Sequence, residues 1–327
     1  MSKSLDFLLK FSFGGLISAA ISFLSTPLIT SLILPEEFGR ASMVILAVSL
    51  LINFVLLGID QSFVRFYYDI KYVNGKNLLI SNSIIVPILL SLVIIGGILY
   101  FNEIVSDFLI NSIDFRVIVI LSFMLFVGVI ERFTTLFIRM EQKAVLFSTL
   151  KIVQSISNII IIVLYTKFYD MSFHGILVGS LISSLLITGL GVWYEREVWR
   201  KAFSSFNKIE VKNLIIYGLP FLPTFIISWL FEGIDKLALK HYSTFTEIGY
   251  YSAAYKIVAI LSILQVTFSN VWIPISYEVY EKNTIKAKEF FVNVFNGISG
   301  VFFIISILLI SFKDLIVKLF NILLNLI

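Results

Sequence analysis

The chain has 327 residues, of which 58% are hydrophobic and 14% are charged, and its mean hydropathy is +0.98. Soluble domains carry about 25% charged residues, so a water-facing protein is excluded and a polytopic membrane protein is predicted. The chain has no cysteine, which excludes disulfides and thiolate chemistry. Its net charge of +4 does not require nucleic acid as a partner, because basic residues gather in the cytoplasmic loops of membrane proteins.

Apolar segments long enough to cross a bilayer follow one another along the whole chain. One transmembrane helix needs about 20 mostly apolar residues, and the pattern predicts an all-α bundle. The ten predicted spans have the approximate bounds 10–34, 41–66, 77–101, 115–138, 144–168, 174–195, 212–234, 248–273, 288–312 and 314 onward. Because the last of these has only 14 residues before the sequence ends, we expect the chain to stop within its tenth helix.

Basic residues are distributed unevenly between the two ends of the spans. With a cytoplasmic N-terminus, 17 Lys and Arg lie at the inner ends and seven at the outer ends. This positive-inside pattern predicts that the N-terminus is cytoplasmic. The charged inner segment 195–212 is the expected linker between an N-terminal lobe, 1–200, and a C-terminal lobe, 201–327.

A weak internal repeat appears when the sequence is displaced by 210 residues. "EEFGRAS" (36–42) then aligns with "TEIGYYS" (246–252), with identical Glu, Gly and Ser. Helix 1 falls on helix 7 and helix 2 on helix 8, so the two copies share one membrane orientation. Parallel repeats are found in transporters that hold their substrate between two lobes. The sequence therefore predicts a six-helix first lobe and a second lobe that is incomplete, with four spans.

Polar stripes run along the repeated helices. They consist of Ser42, Ser49, Asn53 and Asp60 on helix 2, and Ser252, Lys256, Thr267 and Asn270 on helix 8. Serine faces alone indicate close helix packing, whereas an ionisable group within a span seldom faces lipid and favours a cavity. Lys256, about two turns inside the outer end of helix 8, is the strongest candidate for a substrate-binding residue. Glu232 on helix 7 is its candidate counter-charge.

A second group of candidate substrate-binding residues lies at the inner ends of helices 2, 4 and 5. It consists of Asp60, Gln61 and Arg65 on helix 2, Glu131 and Arg132 on helix 4, and Lys151 on helix 5. We expect these residues to form a ring of mixed charge at the cytoplasmic mouth of a cavity. The alternative for Arg65 and Lys151 is that their long side chains extend to lipid headgroups. The short side chain of Asp60 fits this alternative less well.

Two segments resemble a known family of exporters. "LPEEFGRASMVILAVSLLINFVLLGIDQSFVRFYYD" (34–69) is similar to the helix 1–helix 2 region of the Wzx-type polysaccharide flippases, a branch of the MATE/MurJ-like superfamily. "DKLALKHYSTFTEIGYYSAAYKIVAILSILQVTFSNVWIPISYEVY" (235–280) is similar to the helix 7–helix 8 region of the same family. Because its members have twelve or more spans, the resemblance implies a two-lobe MATE-like bundle whose second lobe is truncated here.

The resemblance also implies a function and partners. Members export an undecaprenyl-pyrophosphate-linked oligosaccharide from the cytoplasmic to the periplasmic leaflet of the bacterial inner membrane, alongside other polysaccharide assembly proteins. Lys256, Arg65 and Arg132 would neutralise the pyrophosphate, and polar side chains would bind the sugar hydroxyls. No cofactor is expected for this activity.

Two other hypotheses remain open. A MATE-type drug or cation antiporter would share the fold, but it needs an acidic cavity, whereas the deepest charge here is Lys256. A membrane-embedded polysaccharide polymerase or acyltransferase is the alternative of another class. The polymerase needs a large periplasmic loop, and none is present. The acyltransferase needs an intramembrane histidine, but His174 and His241 fall near outer helix ends, where surface or capping roles are expected. We therefore expect no enzymatic activity.

Overall fold

The computed structural model describes residues 2–67, 76–201, 206–256, 272 and 284–312, and these residues form helices with no strand among them. Eight segments of this part of the chain are long and apolar enough to cross a membrane. They are Gly14–Leu32, Pro35–Leu56, Leu78–Tyr100, Phe115–Met140, Ala144–Phe168, His174–Tyr194, Lys208–Tyr242 and Phe290–Ser311. The protein is therefore an all-α polytopic membrane protein, as its composition predicted.

The helices are numbered here in chain order. They are α1 (Ser2–Leu32), α2 (Pro35–Leu56), α3 (Ile59–Phe66), α4 (Lys76–Tyr100), α5 (Asn102–Ile110), α6 (Phe115–Met140), α7 (Ala144–Phe168), α8 (His174–Tyr194), α9 (Arg196–Lys201), α10 (Lys208–Gly218), α11 (Leu222–Tyr242), α12 (245–256) and α13 (Thr284–Ser311). The end of the bundle where α2 begins and α11 ends is called the outer end, and the opposite end the inner end. Of the predicted span 248–273, only the part within α12 is described, and the predicted span from 314 lies outside the described residues.

Predicted helix 2 is interrupted near its inner end. Leu57 and Gly58 adopt left-handed backbone conformations, with φ of 49° and 73°, between α2 and α3. The prediction of one span over 41–66 is therefore wrong. The prediction used hydropathy, which carries no information on a local change of backbone conformation. The one signal in the sequence is Gly58, because glycine adopts positive φ more readily than other residues.

Predicted helix 7 is also interrupted, within a segment that contains Pro220 and Pro223. A short 3₁₀ turn, Leu219–Phe221, separates α10 from α11. Pro220 has no backbone N–H to continue the helical ladder. The two interruptions lie against each other: the Gly58 and Gly218 backbones are so close that a Cβ on either would overlap the other. The Ser62 hydroxyl adds a hydrogen bond of 2.6 Å to the Leu214 carbonyl.

The core of the first half surrounds α6. α6 packs on α2, α4 and α8, while α7 lies between α1 and α8. Phe63, Phe133 and Phe137 are fully buried, with ring centroids 5.3 Å apart for Phe63 and Phe137. In contrast, none of the Phe290–Ser311 span of α13 is buried against other described residues.

A reciprocal contact at the outer end joins the two predicted repeats. A Cβ on Gly39 would overlap the backbone of Phe245, and a Cβ on Gly249 would overlap the backbone of Pro35. The displacement of 210 residues converts one contact into the other, because Gly39 corresponds to Gly249 and Pro35 to Phe245. In addition, the Ser252 hydroxyl donates a hydrogen bond of 3.0 Å to the hydroxyl of Ser42, its counterpart in the repeat. Such mutual contacts are expected across a two-fold axis, which supports the parallel repeat.

Candidate functional site

Asp60 and Arg132, both candidates from the sequence, form an ion pair between α3 and α6. The Asp60 Oδ2 accepts from Arg132 Nη2 at 2.5 Å and Nε at 3.1 Å, and from Gln61 Nε2 at 3.1 Å. The Asp60 side chain is only 2% exposed, whereas that of Arg132 is 41% exposed. Asp60 therefore holds Arg132 in place, and the arginine is the member of the pair that remains accessible.

Glu131 is the centre of a separate polar network. Its carboxylate accepts from Lys151 Nζ at 3.2 Å, from Gln154 Nε2 at 3.1 Å and from the Ser184 hydroxyl at 2.5 Å. The network joins α6, α7 and α8 within the spans. Gln154 and Ser184 were missed by sequence reasoning, although Gln154 lies one turn from Lys151 and is the only glutamine of its span.

The single charged ring predicted at the inner mouth is therefore wrong. Adjacent residues on a helix point about 100° apart, so Glu131 and Arg132 belong to two networks with different partners. Arg65 takes part in neither. It is exposed on α3 and has no ion pair with any residue that the structure describes.

Lys256 lies between the two halves near the C-terminal end of the described part of α12. Its Nζ is 4.8 Å from the centroid of the Phe38 ring on α2, which is a cation–π contact. Lys236 on α11 is near enough for its charge to act on Lys256. The predicted pair with Glu232 is not formed: Glu232 is exposed, and its charge acts on Lys236. Among the described residues, Lys256 has no carboxylate partner.

The remaining stripe residues have different surroundings. Ser42 and Ser49 donate to carbonyls one turn back in α2, at 2.8 and 2.7 Å, and Ser42 is buried in the contact with Ser252. At that end the stripe serves packing and not a cavity. Asn53 is half-buried and makes no hydrogen bond with a described residue. Asn270 lies outside the described residues.

The two histidines of the chain differ in burial. His174 is buried at the start of α8, with Nε2 2.8 Å from the Asp114 Oδ2, so the expected surface role is wrong for it. His241 is exposed in the last turn of α11, as expected.

Burial alone would raise the pKa of Asp114, but hydrogen bonds from Arg116 and His174 outweigh it and lower that pKa. No group of three or more potential metal ligands occurs in the described part of the chain.

The described helices have a MATE-like fold. The chain superposes on the crystal structure of MATE in complex with MaD5 with a TM-score of 0.63, covering 98% of this chain and 76% of that chain at 14% identity. The profile of a family described as "Polysaccharide biosynthesis protein" matches residues 9–279. The chain belongs to this family. The family and the fold are those of transporters and not of enzymes.

A curated relative has a similar sequence but greater length. An uncharacterized membrane protein of Methanocaldococcus jannaschii is 22% identical over 293 residues, which are 83% of this chain and 57% of the relative. The chain thus spans little more than half the length of that relative.

Proposed function

We propose that the protein is a flippase that moves a polyprenyl-pyrophosphate-linked oligosaccharide across the bacterial inner membrane, from the cytoplasmic to the periplasmic leaflet. Its membership of a polysaccharide biosynthesis family and its MATE-like fold support this proposal. In this scheme the N-terminus is cytoplasmic, residues 1–200 and 201–327 contribute the two lobes, and the lobes alternate in exposing the substrate site.

The observation that carries the proposal is the environment of Lys256. Its Cα lies roughly 16 Å along α12 from the first residue of that helix. It faces Phe38 of the other half and has no carboxylate partner among the described residues. A half-buried ammonium within the spans is favoured by a counter-charge, and in this proposal the pyrophosphate of the substrate supplies it.

The cations of the two halves have complementary roles in this proposal. Arg132 is accessible and anchored by Asp60, so it is suited to receive the substrate anion on the N-terminal half. Lys256 and Lys236 receive it on the C-terminal half. Arg65, Asn53, Glu131, Glu232 and Asn270 remain proposed contributors to the substrate path. Outward movement of an anion is favoured by an inside-negative potential, by about 2.3 kcal/mol per charge per 100 mV.

The test is export of surface polysaccharide in a flippase-deletion strain at matched membrane abundance. We expect Lys256→Ala to lower export at least about tenfold and Lys256→Arg to retain part of it, because the positive charge is kept. Lys167→Ala, which removes an exposed lysine at the end of α7, serves as the control and should export normally. Normal export by Lys256→Ala would contradict the role of this residue.

The hypothesis of a drug or cation antiporter predicts a different result. Its supporting observation is the Glu131 carboxylate within the spans, which carries three hydrogen-bond partners. In an antiporter Lys256 would repel a cationic substrate, so Lys256→Ala would leave cation efflux unchanged or raise it. Cation efflux that rises in this variant, with no polysaccharide phenotype, would favour the antiporter.

A further inference from the structure

A polar cavity of about 350 Å³ lies at the outer end, between the two halves. Its walls come from the start of α2, the residue after α5, the end of α11 and the start of α12. The polar groups used below are those of Glu36, Arg40, Asn111, Lys240, Ser243 and Thr246. The cavity adjoins the reciprocal glycine contact but contains none of the residues proposed above for substrate binding.

Two cations line the cavity, and Lys240 is the one with more capacity to bind an anion. Lys240 has no ion pair with a described residue. Its Nζ lies 4.4 Å from the centroid of the Phe108 ring, and the charge of Asp107 reaches it only at longer range. Arg40 is more engaged: its Nη2 binds Glu36 at 2.7 Å and its Nη1 lies 3.5 Å from Glu37, whereas its buried Nε has no hydrogen-bond partner in the described part of the chain. The one acid of the lining, Glu36, is thus already engaged.

Hydrogen-bond donors converge on the same space. The first turn of α12 begins at the cavity, with Thr244 capping it through a bond of 3.4 Å from the Glu247 N–H. The first amides of a helix have no intrahelical partner and favour a negative charge. Ser243 and Thr246 add hydroxyls, and Asn111 adds an amide. This combination of two cations, one helix terminus and neutral donors matches a phosphodiester better than a metal ion or an apolar ligand.

Exposed aromatic residues place the cavity at the depth of the lipid headgroups. Tyr100, Tyr169 and Tyr242, at the outer ends of α4, α7 and α11, are 80%, 80% and 84% exposed. Exposed aromatic residues of this kind form belts at the membrane interface. The short helix α5 beside the cavity also exposes Ile104 and Phe108, as an interfacial helix does. A ligand at this depth is available from the lipid leaflet itself.

We propose that this cavity binds the phosphodiester headgroup of a glycerophospholipid from the leaflet at the outer end. The phosphate lies between Lys240, Arg40 and the first turn of α12, and the acyl chains extend into the bilayer past the apolar side of α5. Because the cavity is walled by both halves, the bound headgroup bridges them and stabilises the closed contact of Gly39 with Gly249. The proposal does not rest on the nature of the transported substrate.

The binding test uses the purified full chain in a maltoside detergent and three probes. They are dihexanoyl phosphatidylglycerol, dihexanoylglycerol, which lacks the phosphate, and glycerol phosphate, which lacks the acyl chains. We expect the first probe to raise the midpoint of thermal unfolding by about 3–6 °C, as for a ligand well above its Kd. The other two should give less than half of that shift.

Two variants test the site by changing its charge in different ways. Lys240→Gln removes a cation, and Thr246→Glu adds a repelling charge in the first turn of α12, where an acid is favourable for the helix itself. Each should lose at least half of the phosphatidylglycerol shift measured from its own ligand-free midpoint. Lys167→Gln, which removes an exposed cation at the same end of the bundle but outside the cavity, should keep the full shift.

Four results would overturn the proposal. An undiminished shift in both Lys240→Gln and Thr246→Glu would exclude the cavity. An equal loss in Lys167→Gln would show a general effect of micelle charge. A full shift with glycerol phosphate would assign the site to a free phosphate ester, and a full shift with dihexanoylglycerol would exclude recognition of phosphate. If Lys240→Gln does not fold, Thr246→Glu decides between binding and its absence.

Discussion

At the scale of single residues, the buried charges of the two halves are compensated differently. In the first half Asp60 pairs with Arg132, and Glu131 pairs with Lys151, so each acid has a base. In the second half Lys256 has no carboxylate partner among the described residues. In the flippase that we propose, a cation within the spans that lacks a carboxylate partner among the described residues gives the second half a place to bind an anion.

The pair of Asp60 and Arg132 makes a measurable contribution to stability. Asp60→Asn leaves the Arg132 guanidinium without its counter-charge, although the arginine is 41% exposed and partly solvated. We expect a loss of about 1–3 kcal/mol in the free energy of unfolding, below the full effect of breaking a buried pair. The measurement is equilibrium unfolding of the wild type, Asp60→Asn, Arg132→Gln and the double variant.

An exposed ion pair provides the matched control for this cycle. Glu197 and Arg200 on α9 have side chains that are 69% and 73% exposed, so Glu197→Gln should change stability by less than about 0.5 kcal/mol. If the two pairs gave equal coupling energies, the anchoring role assigned to Asp60 would be refuted.

Asp114 gives a pH dependence whose sign follows from its lowered pKa. The folded-state pKa lies below the unfolded one, because bonds from Arg116 and His174 outweigh burial. The ionised carboxylate therefore contributes stability that is present above the unfolded pKa and is lost as the pH falls through the folded pKa. We expect wild type to be more stable than Asp114→Asn at pH 6–7, with the difference shrinking once the pH falls below about 4 and disappearing below the lowered folded-state pKa.

The measurement is the thermal midpoint of both proteins from pH 3 to pH 7. Asn is also an effective N-cap, so the start of α6 is preserved in the variant and the comparison isolates the charge. Glu103→Gln, an exposed position of α5, is the control and should differ from wild type by the same amount at every pH. A difference for Asp114→Asn that persists unchanged at pH 3 would contradict the assigned sign.

At the scale of secondary-structure elements, helices 2 and 7 meet through backbone at their interruptions. Gly58 must adopt φ of 73°, and its Cα faces the backbone of Gly218. A side chain at Gly58 therefore meets two obstacles, an unfavourable left-handed backbone and direct overlap with α10. Because the overlapped atoms are backbone, no rotamer change relieves the clash.

Gly58→Ala should destabilise the protein by at least about 2 kcal/mol, of which roughly 1–2 kcal/mol comes from the left-handed conformation. Gly96→Ala and Gly189→Ala are matched controls, because a Cβ at either position would contact nothing within 4 Å. They should be neutral or stabilising by up to about 1 kcal/mol, since Ala favours a helix over Gly. Unfolding midpoints that do not separate Gly58→Ala from these controls would show that the contact with Gly218 is not formed.

At the scale of the whole molecule, the contact of Ser42 with Ser252 joins the two halves. Their hydroxyl oxygens are 3.0 Å apart, and the chain has no native cysteine. The double variant Ser42→Cys/Ser252→Cys should therefore form a disulfide in membranes under mild oxidation, because the side chains already meet. The pair Ser42→Cys/Tyr250→Cys, with an exposed second position, should not.

This cross-link also tests whether the outer contact opens during transport. If the halves separate there in each cycle, oxidation should abolish export and reduction should restore it. Full export by the oxidised double variant would mean that the substrate leaves elsewhere. Gel mobility measures the cross-link, and surface polysaccharide measures export in the same cells.

Sequence alone predicted much of this architecture but little of its side-chain pairing. The spans follow from the apolar composition of each segment, and the bend in helix 7 follows from the missing N–H of Pro220. The orientation of Glu131 toward Lys151 depends on which faces of α6 and α7 meet, and a single sequence does not encode that rotation in its hydropathy. The burial of His174 depends likewise on Asp114, which is 60 residues away.

The bare backbone surfaces at Gly39, Gly58, Gly218 and Gly249 have a mechanical consequence. Interlocked side chains resist sliding, because each must change rotamer before a neighbouring ridge can pass. Where backbone meets backbone no such ridge stands in the way, so we expect less resistance to a small shear at these two contacts than where the Leu46 side chain packs on Gly233. Larger residues at the four glycine positions would hold the backbones apart and so alter both contacts at once.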